Sequence, residues 1–196
     1  MNIKGKQITH KQEIVDRAFE LAKKYTLENG NCAQSVTAAV FDALGIKNDD
    51  IVRATTGFAD RVGLTGDGDC GALSGGTVAI SYLFGRGKDD FDKRNKMSRS
   101  LILSRKLHDG FIEKYGSYRL NDTQTKFFAR SFNPFDPAEV EAAAKSGLPD
   151  KCSILTGEVA RLATKIIFEE SEGETLKRNE RKPYLLSDAR WLTWNS

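Results

Sequence analysis

Between Cys70 and Phe84 the chain spells out a helix that is apolar or small on nearly every side. Such a helix has no face suited to water, so other elements must wrap it. Gly71, Gly75 and Ala79 share one face, with Ala72 and Gly76 beside them. Each helical glycine costs about 1 kcal/mol relative to alanine. Three of them are tolerable only where neighbouring helices approach very closely. The pattern predicts an all-α, single-domain bundle around a buried glycine-rich helix at about 70–85. Asp69 is the expected cap at its start.

The flanking sequence supplies the wrapping helices. Thr9 and Gln12 stand at capping-box spacing, and Ile14, Ala18, Leu21 and Tyr25 recur at helical intervals before Gly30. Asn31 and Gln34 open a second helix carrying Val36, Val40 and Leu44, which stops at Gly45. Asn48, Asp49 and Asp50 start a short third helix that ends near Gly57. A long helix is expected from about Asp89 to Tyr115. There Met97, Leu101, Ser104, His108, Phe111 and Tyr115 alternate at spacings of four and three, which puts His108 on an apolar stripe. Asn121 to Phe132 reads as another helix, and Pro137 starts one through Lys145. After Pro149 a last helix carries Cys152, Leu155, Val159, Leu162 and Ile166. Phe127, Phe128, Phe132 and Phe135 are expected in the core. No internal repeat and no strand-like alternation stands out.

Bulk properties narrow the function classes. A length of 196 residues suits one domain over 1–172 with an extension over 173–196. Gly173 to Lys182 reads as a polar linker. Trp191 and Trp194 beyond it are expected to dock on the domain or on a second subunit, which would make a homodimer. The net charge of +3 is small, and the runs Lys88–Lys106 and Lys177–Lys182 mix bases with acids and asparagines. They read as solvated faces, so no nucleic-acid partner is expected. No apolar run is long enough to cross a bilayer, and Met1 to Lys11 lacks a signal-peptide core. Three widely spaced cysteines in a chain this long favour reduced thiols. The expectation is a soluble cytoplasmic protein with no membrane partner.

Cys32, Cys70 and Cys152 each fall at or near an expected helix start. Unpaired amide N–H groups and the helix dipole favour a thiolate there. A thiolate is the nucleophile, the redox-active form and the metal ligand. The intervals of 38 residues (70−32) and 82 residues (152−70) contain no C-x-x-C pair, so neither a thioredoxin-type dithiol nor a zinc ribbon is written locally. No C-x-x-C-H occurs, and c-type haem is not expected. The loop from Gly57 to Asp69 holds Gly57, Gly63, Gly66 and Gly68 with Asp60, Asp67 and Asp69. Gly66, Gly68 and Gly71 are the candidate backbone contacts for a cofactor or anion, although neither G-x-G-x-x-G nor the P-loop pattern is present.

The string Asp69-Cys70-Gly71-Ala72-Leu73-Ser74-Gly75-Gly76 contains C-G-A-x-x-G, with Asn31-Cys32-Ala33-Gln34 upstream and Thr56-Gly57-Phe58 and Gly63-Leu64-Thr65-Gly66 between. This order resembles the redox-active family called C_GCAxxG_C_C, over roughly Ala18 to Phe168. The resemblance implies a small helical protein with four cysteines and a redox function, an iron–sulfur cluster or another transition-metal centre. Cys32 matches the family's first cysteine, Cys70 the motif cysteine and Cys152 the last. The remaining one is expected soon after an aromatic-Gly-Ser element. Here Tyr115-Gly116-Ser117 is followed by Tyr118-Arg119-Leu120, with no cysteine. Three thiolates leave one coordination position open. His108 is the first candidate for a fourth ligand, ahead of Asp67 and Asp69.

Three readings stay open on the residues. The first is a redox or metal-centre protein with Cys32, Cys70, Cys152 and His108 as ligands, served by an electron-transfer partner or a small-molecule substrate. The second is a metal-free thiol catalyst using Cys70 and Cys32, with Cys70 favoured as nucleophile. The third is a helical binding or assembly module without chemistry. Whether the chain is an enzyme is left undecided.

Overall fold

The computed structural model describes residues 3–59, 62–66 and 68–177. Eight α-helices follow one another: α1 (Ile3–Asn29), α2 (Cys32–Leu44), α3 (Asp49–Ala54), α4 (Gly71–Phe84), α5 (Arg94–Tyr115), α6 (Leu120–Phe128), α7 (Pro137–Lys145) and α8 (Leu148–Lys177). Two 3-10 turns, Thr56–Phe58 and Lys88–Asp90, lie between them. Among the described residues there is no strand, only an isolated bridge between Asp69 and Arg119. The fold is all-α, as the sequence pattern requires. No described helix is long and apolar enough to cross a membrane.

Local chemistry sets several boundaries. The Asn31 side chain accepts a hydrogen bond from the Gln34 N–H and caps α2, and Gly45 closes that helix at φ +71°. Asn48 caps α3 through the Ile51 N–H. Pro137 follows the Asp136 cap of α7. Other boundaries differ from expectation. α1 begins at Ile3, well before Thr9. α5 starts only at Arg94, because Lys88–Asp90 takes the tighter 3-10 form. α6 stops at Phe128, where Ala129 turns to φ +57°. α8 continues through Lys177, so Gly173 to Lys177 is helix and not linker. Trp191, Trp194 and the rest of 178–196 lie outside the described residues.

Side-chain pairings give the helix directions. On α2 and α4, Ala33 meets Gly71 and Gly75, Thr37 bonds the Gly75 carbonyl, and Phe41 packs on Tyr82. These two helices therefore run parallel. Ser81 meets Ser100 and Gly76 meets Leu107, so α4 and α5 are antiparallel. Gly110–Leu162, Lys114–Glu158 and Arg99–Glu170 make α5 antiparallel to α8. Thr26–Thr156 and Asp16–Arg161 do the same for α1 and α8. Helices α2, α4 and α8 thus start at one end of the bundle, where α1 and α5 finish.

The core is one cluster running from Ala18 and Ala22 through Val36, Val40 and Phe41 to Ile80, Leu107, Phe111, Val159 and Ile166. Helix α4 lies at its centre, touching α2, α5 and α8. The glycine face performs the close approach expected of it. A Cβ on Gly75 would lie 2.3 Å from the Ala33 carbonyl oxygen, and one on Gly76 would lie 2.8 Å from Leu107. Two expectations fail. The buried stripe of α5 runs through Ser100, Leu103 and Leu107, one position before the expected Leu101, Ser104 and His108, and joins the expected row at Phe111 and Tyr115. Leu101 is exposed and His108 is 44% exposed, because α4 and α8 meet α5 on the Leu107 side. The phenylalanines are not all core either: Phe127 lies at the surface and Phe135 is 68% exposed. Tyr115, Phe127, Phe128 and Phe132 instead form a run of edge-to-face contacts along α6, beside the body of the bundle.

Candidate functional site

The shared end of α2, α4 and α8 is where the three cysteines sit. Cys32 is the first residue of α2, directly after the Asn31 cap. Asn31 also donates to the Thr56 carbonyl, and the Gln34 side chain donates to Thr56 and to the Val52 carbonyl. These bonds tie the start of α2 to the turn that leads into the glycine-rich loop.

Cys70, rather than Asp69, is the N-cap residue of α4. The reason is the neighbouring chain. Asp69 is held extended by its bridge to Arg119, and the Cys70 N–H donates to the Tyr118 carbonyl at 2.9 Å. Only after that bond does the backbone turn into the helix, with the Cys70 carbonyl accepting from Leu73 and Ser74. Gly71 then presses onto the start of α2. A Cβ there would lie 2.8 Å from the Phe58 carbonyl oxygen and 3.5 Å from Cys32 Cβ. The space a side chain would need is already taken by Cys32 and the Phe58 backbone. Cys32 and Cys70 thus stand on adjoining helix starts, Cys32 half-buried and Cys70 2% exposed. Gly66 and Gly68 both take positive φ, +74° and +152°, in the segment that delivers Cys70.

Cys152 is the fifth residue of α8 and half-buried. It lies two turns before Val159, on the same face of the helix. Val159 meets Gly76 of α4, so Cys152 stands along the bundle near the level of the α4 start. No disulfide joins the three. Among the described residues no group of three or more His, Cys, Asp or Glu is arranged to hold a metal ion. Asp67 lies outside the described residues.

His108 lies on α5 against Tyr118, whose carbonyl holds the Cys70 N–H. Its Nδ1 meets Asp109 Oδ1 at 3.0 Å, and its ring tilts against Tyr118 at 5.8 Å. The hydrogen bond to His108 holds the exposed Asp109 carboxyl below its ordinary range.

Tyr115 was legible from sequence only as a core residue. It is buried at the end of α5, three residues before the carbonyl that holds Cys70. Burial, then the charges of Glu158 and Cys70, push its hydroxyl well above the usual tyrosine range. Tyr115 also lines a groove of about 520 Å³ between α5 and α8. No motif marks this groove, because its two walls are more than forty residues apart in the chain.

Residues 30–166 match the family described as "putative redox-active protein (C_GCAxxG_C_C)". The chain belongs to this family. The match spans both helix-start cysteines, the glycine-rich loop and Cys152, and it agrees with the resemblance carried by the C-G-A-x-x-G string. No curated protein and no solved structure matches the chain.

Proposed function

We propose that this member of the C_GCAxxG_C_C family is a thiol redox protein in which Cys32 and Cys70 exchange two electrons with a small or protein-borne disulfide. One observation carries the reading: the first residue of α4 is seated on the Cys32 side chain, which sets two helix-start cysteines side by side. Helix starts favour negative sulfur through their free N–H groups and dipole.

Half-exposure favours Cys32 for the first attack, and the burial of Cys70 suits it to the second. The Cys32 thiolate attacks one sulfur of R–S–S–R. A mixed disulfide forms, the substrate S–S bond breaks, and one thiolate leaves with the proton that Cys32 gave up. Cys70, deprotonated, then attacks the Cys32 sulfur. The second thiolate leaves with the Cys70 proton, and a Cys32–Cys70 disulfide remains. Two protein thiols and one disulfide become one protein disulfide and two thiols.

A metal or iron–sulfur centre using Cys32, Cys70, Cys152 and His108 fits less well. His108 is hydrogen-bonded to Asp109, and the described residues hold no group of three or more His, Cys, Asp or Glu arranged for a metal ion.

The test is oxidation of the reduced chain by a small disulfide, followed by peptide mapping. The expected product is a Cys32–Cys70 linkage, formed equally well by Cys152→Ser and lost in Cys32→Ser and in Cys70→Ser. Oxidation that yields only linkages through Cys152, or none within the chain, overturns the reading. So does anaerobically purified protein carrying stoichiometric iron, sulfide or zinc.

A further inference from the structure

The groove between α5 and α8 belongs to no part of the thiol chemistry above. Its floor is apolar, made by Phe111, Tyr115, Val159 and Leu162. Its size lies within the range of small-molecule sites. Gly110 lies on its α5 wall, where a Cβ would lie 2.8 Å from the tip of Leu162. Most charges on its rim are satisfied within the protein. Glu158 pairs with Lys114 at 3.0 Å and Arg161 at 3.2 Å, and Arg161 reaches Asp16 at 3.1 Å.

Two rim charges of opposite sign stay open to a ligand. Glu113, on the α5 wall, forms no ion pair among the described residues. Lys165, on the α8 wall, has among the described residues only a 3.9 Å contact with the exposed Glu169. The Lys114–Glu158 pairing sets the register of the two walls, so Glu113 stands level with Val159. Lys165 is six residues further along α8, which is about 9 Å at the helical rise. An extended peptide covers about 3.3–3.6 Å per residue, so two or three residues span that interval.

We infer that the α5–α8 groove binds a short apolar peptide with free ends, its ammonium on Glu113, its carboxylate on Lys165 and its side chains on the apolar floor. Capture of a free amine or carboxylate chain end is a recurring mode of peptide recognition, and here one side-chain charge of opposite sign faces each end. The site needs no thiol, so it stands or falls apart from the redox reading.

The experiment is calorimetric titration of the full chain with the dipeptide Phe-Leu, with its N-acetyl form and with its C-terminal amide. Removing one charge-assisted contact is expected to weaken binding about tenfold. Acetylation should therefore cost about tenfold in the native chain and nothing further in Glu113→Gln, and amidation should behave likewise with Lys165→Gln. Both positions are exposed, and circular dichroism verifies that the variants fold. Equal binding of free and blocked peptides overturns the inference. So do losses that do not track the two variants, and so does absence of binding up to about 10 mM.

Discussion

Gly75→Ala tests the packing that sets the two cysteines side by side. The added Cβ would lie 2.3 Å from the Ala33 carbonyl oxygen and 3.0 Å from Ala33 Cα and its carbonyl carbon. All three atoms are backbone, so no rotamer change relieves the contact. A carbon–oxygen contact needs about 3.3 Å, so α2 and α4 must part locally by about 1 Å. That movement stretches the 3.0 Å bond from Thr37 Oγ1 to the Gly75 carbonyl, which is buried. Overpacking of this kind costs about 1–3 kcal/mol, and the strained buried bond adds about 1 kcal/mol. Alanine returns about 1 kcal/mol in helix propensity. The expected net loss is about 2 kcal/mol, read from urea denaturation followed by circular dichroism. Gly110→Ala is the control. Its Cβ meets only the tip of Leu162 at 2.8 Å, a flexible end that can move aside. It is expected to be neutral or stabilising by up to about 1 kcal/mol. Because the same crossing seats Gly71 on Cys32, Gly75→Ala should also lower the yield of the Cys32–Cys70 disulfide. A Gly75→Ala protein as stable as the native chain would refute the claim that close approach explains this glycine.

Other outcomes follow from individual contacts. Asn31→Ala removes the α2 cap and its bond to Thr56, and should cost about 1 kcal/mol in thermal or urea unfolding. Leu107→Ala empties the space between α5 and α4 at a fully buried position, with an expected loss of about 2–5 kcal/mol. Thr156→Val removes the buried 2.7 Å Thr26–Thr156 hydroxyl pair, while Thr26 keeps its bond to the Ala22 carbonyl, and should cost about 1 kcal/mol. Tyr25 donates a hydrogen bond to Asp42, and that bond, with partial burial, pushes its hydroxyl up to about 12 from 10.0. The neutral phenol is favoured in the folded chain, so its contribution is whole below pH 10 and fades as pH rises towards 12. An alkaline stability profile should therefore fall more steeply over that window in the native chain than in Tyr25→Phe.

Local chemistry made much of the bundle readable in advance. The α2 limits follow from Asn31 and Gly45, the α7 start follows from Pro137, and the central place of α4 follows from a helix with no polar face. The glycines of α4 announced a close approach, because their cost must be offset by packing. The errors arose where a distant segment competed with a local signal. Asp69 is a good cap by type, yet Arg119 holds it in an extended bridge and Cys70 takes the cap. His108 lies on a plausible helical stripe, yet α4 and α8 meet α5 at Leu107 and leave the His108 side chain half-exposed. The α5–α8 groove had no local signal at all.

By itself, then, the sequence determined that this chain is an all-helical member of the C_GCAxxG_C_C family built around a glycine-rich helix, with cysteines at helix starts. Those properties depend on spacing of three or four residues and on single capping positions. Only the tertiary structure decided that α2, α4 and α8 start at the same end, that Gly71 rests on Cys32, and that the His108 side chain is left half-exposed beside Asp109. Each of these depends on which helix faces meet across tens of residues, and close packing between distant segments decides that.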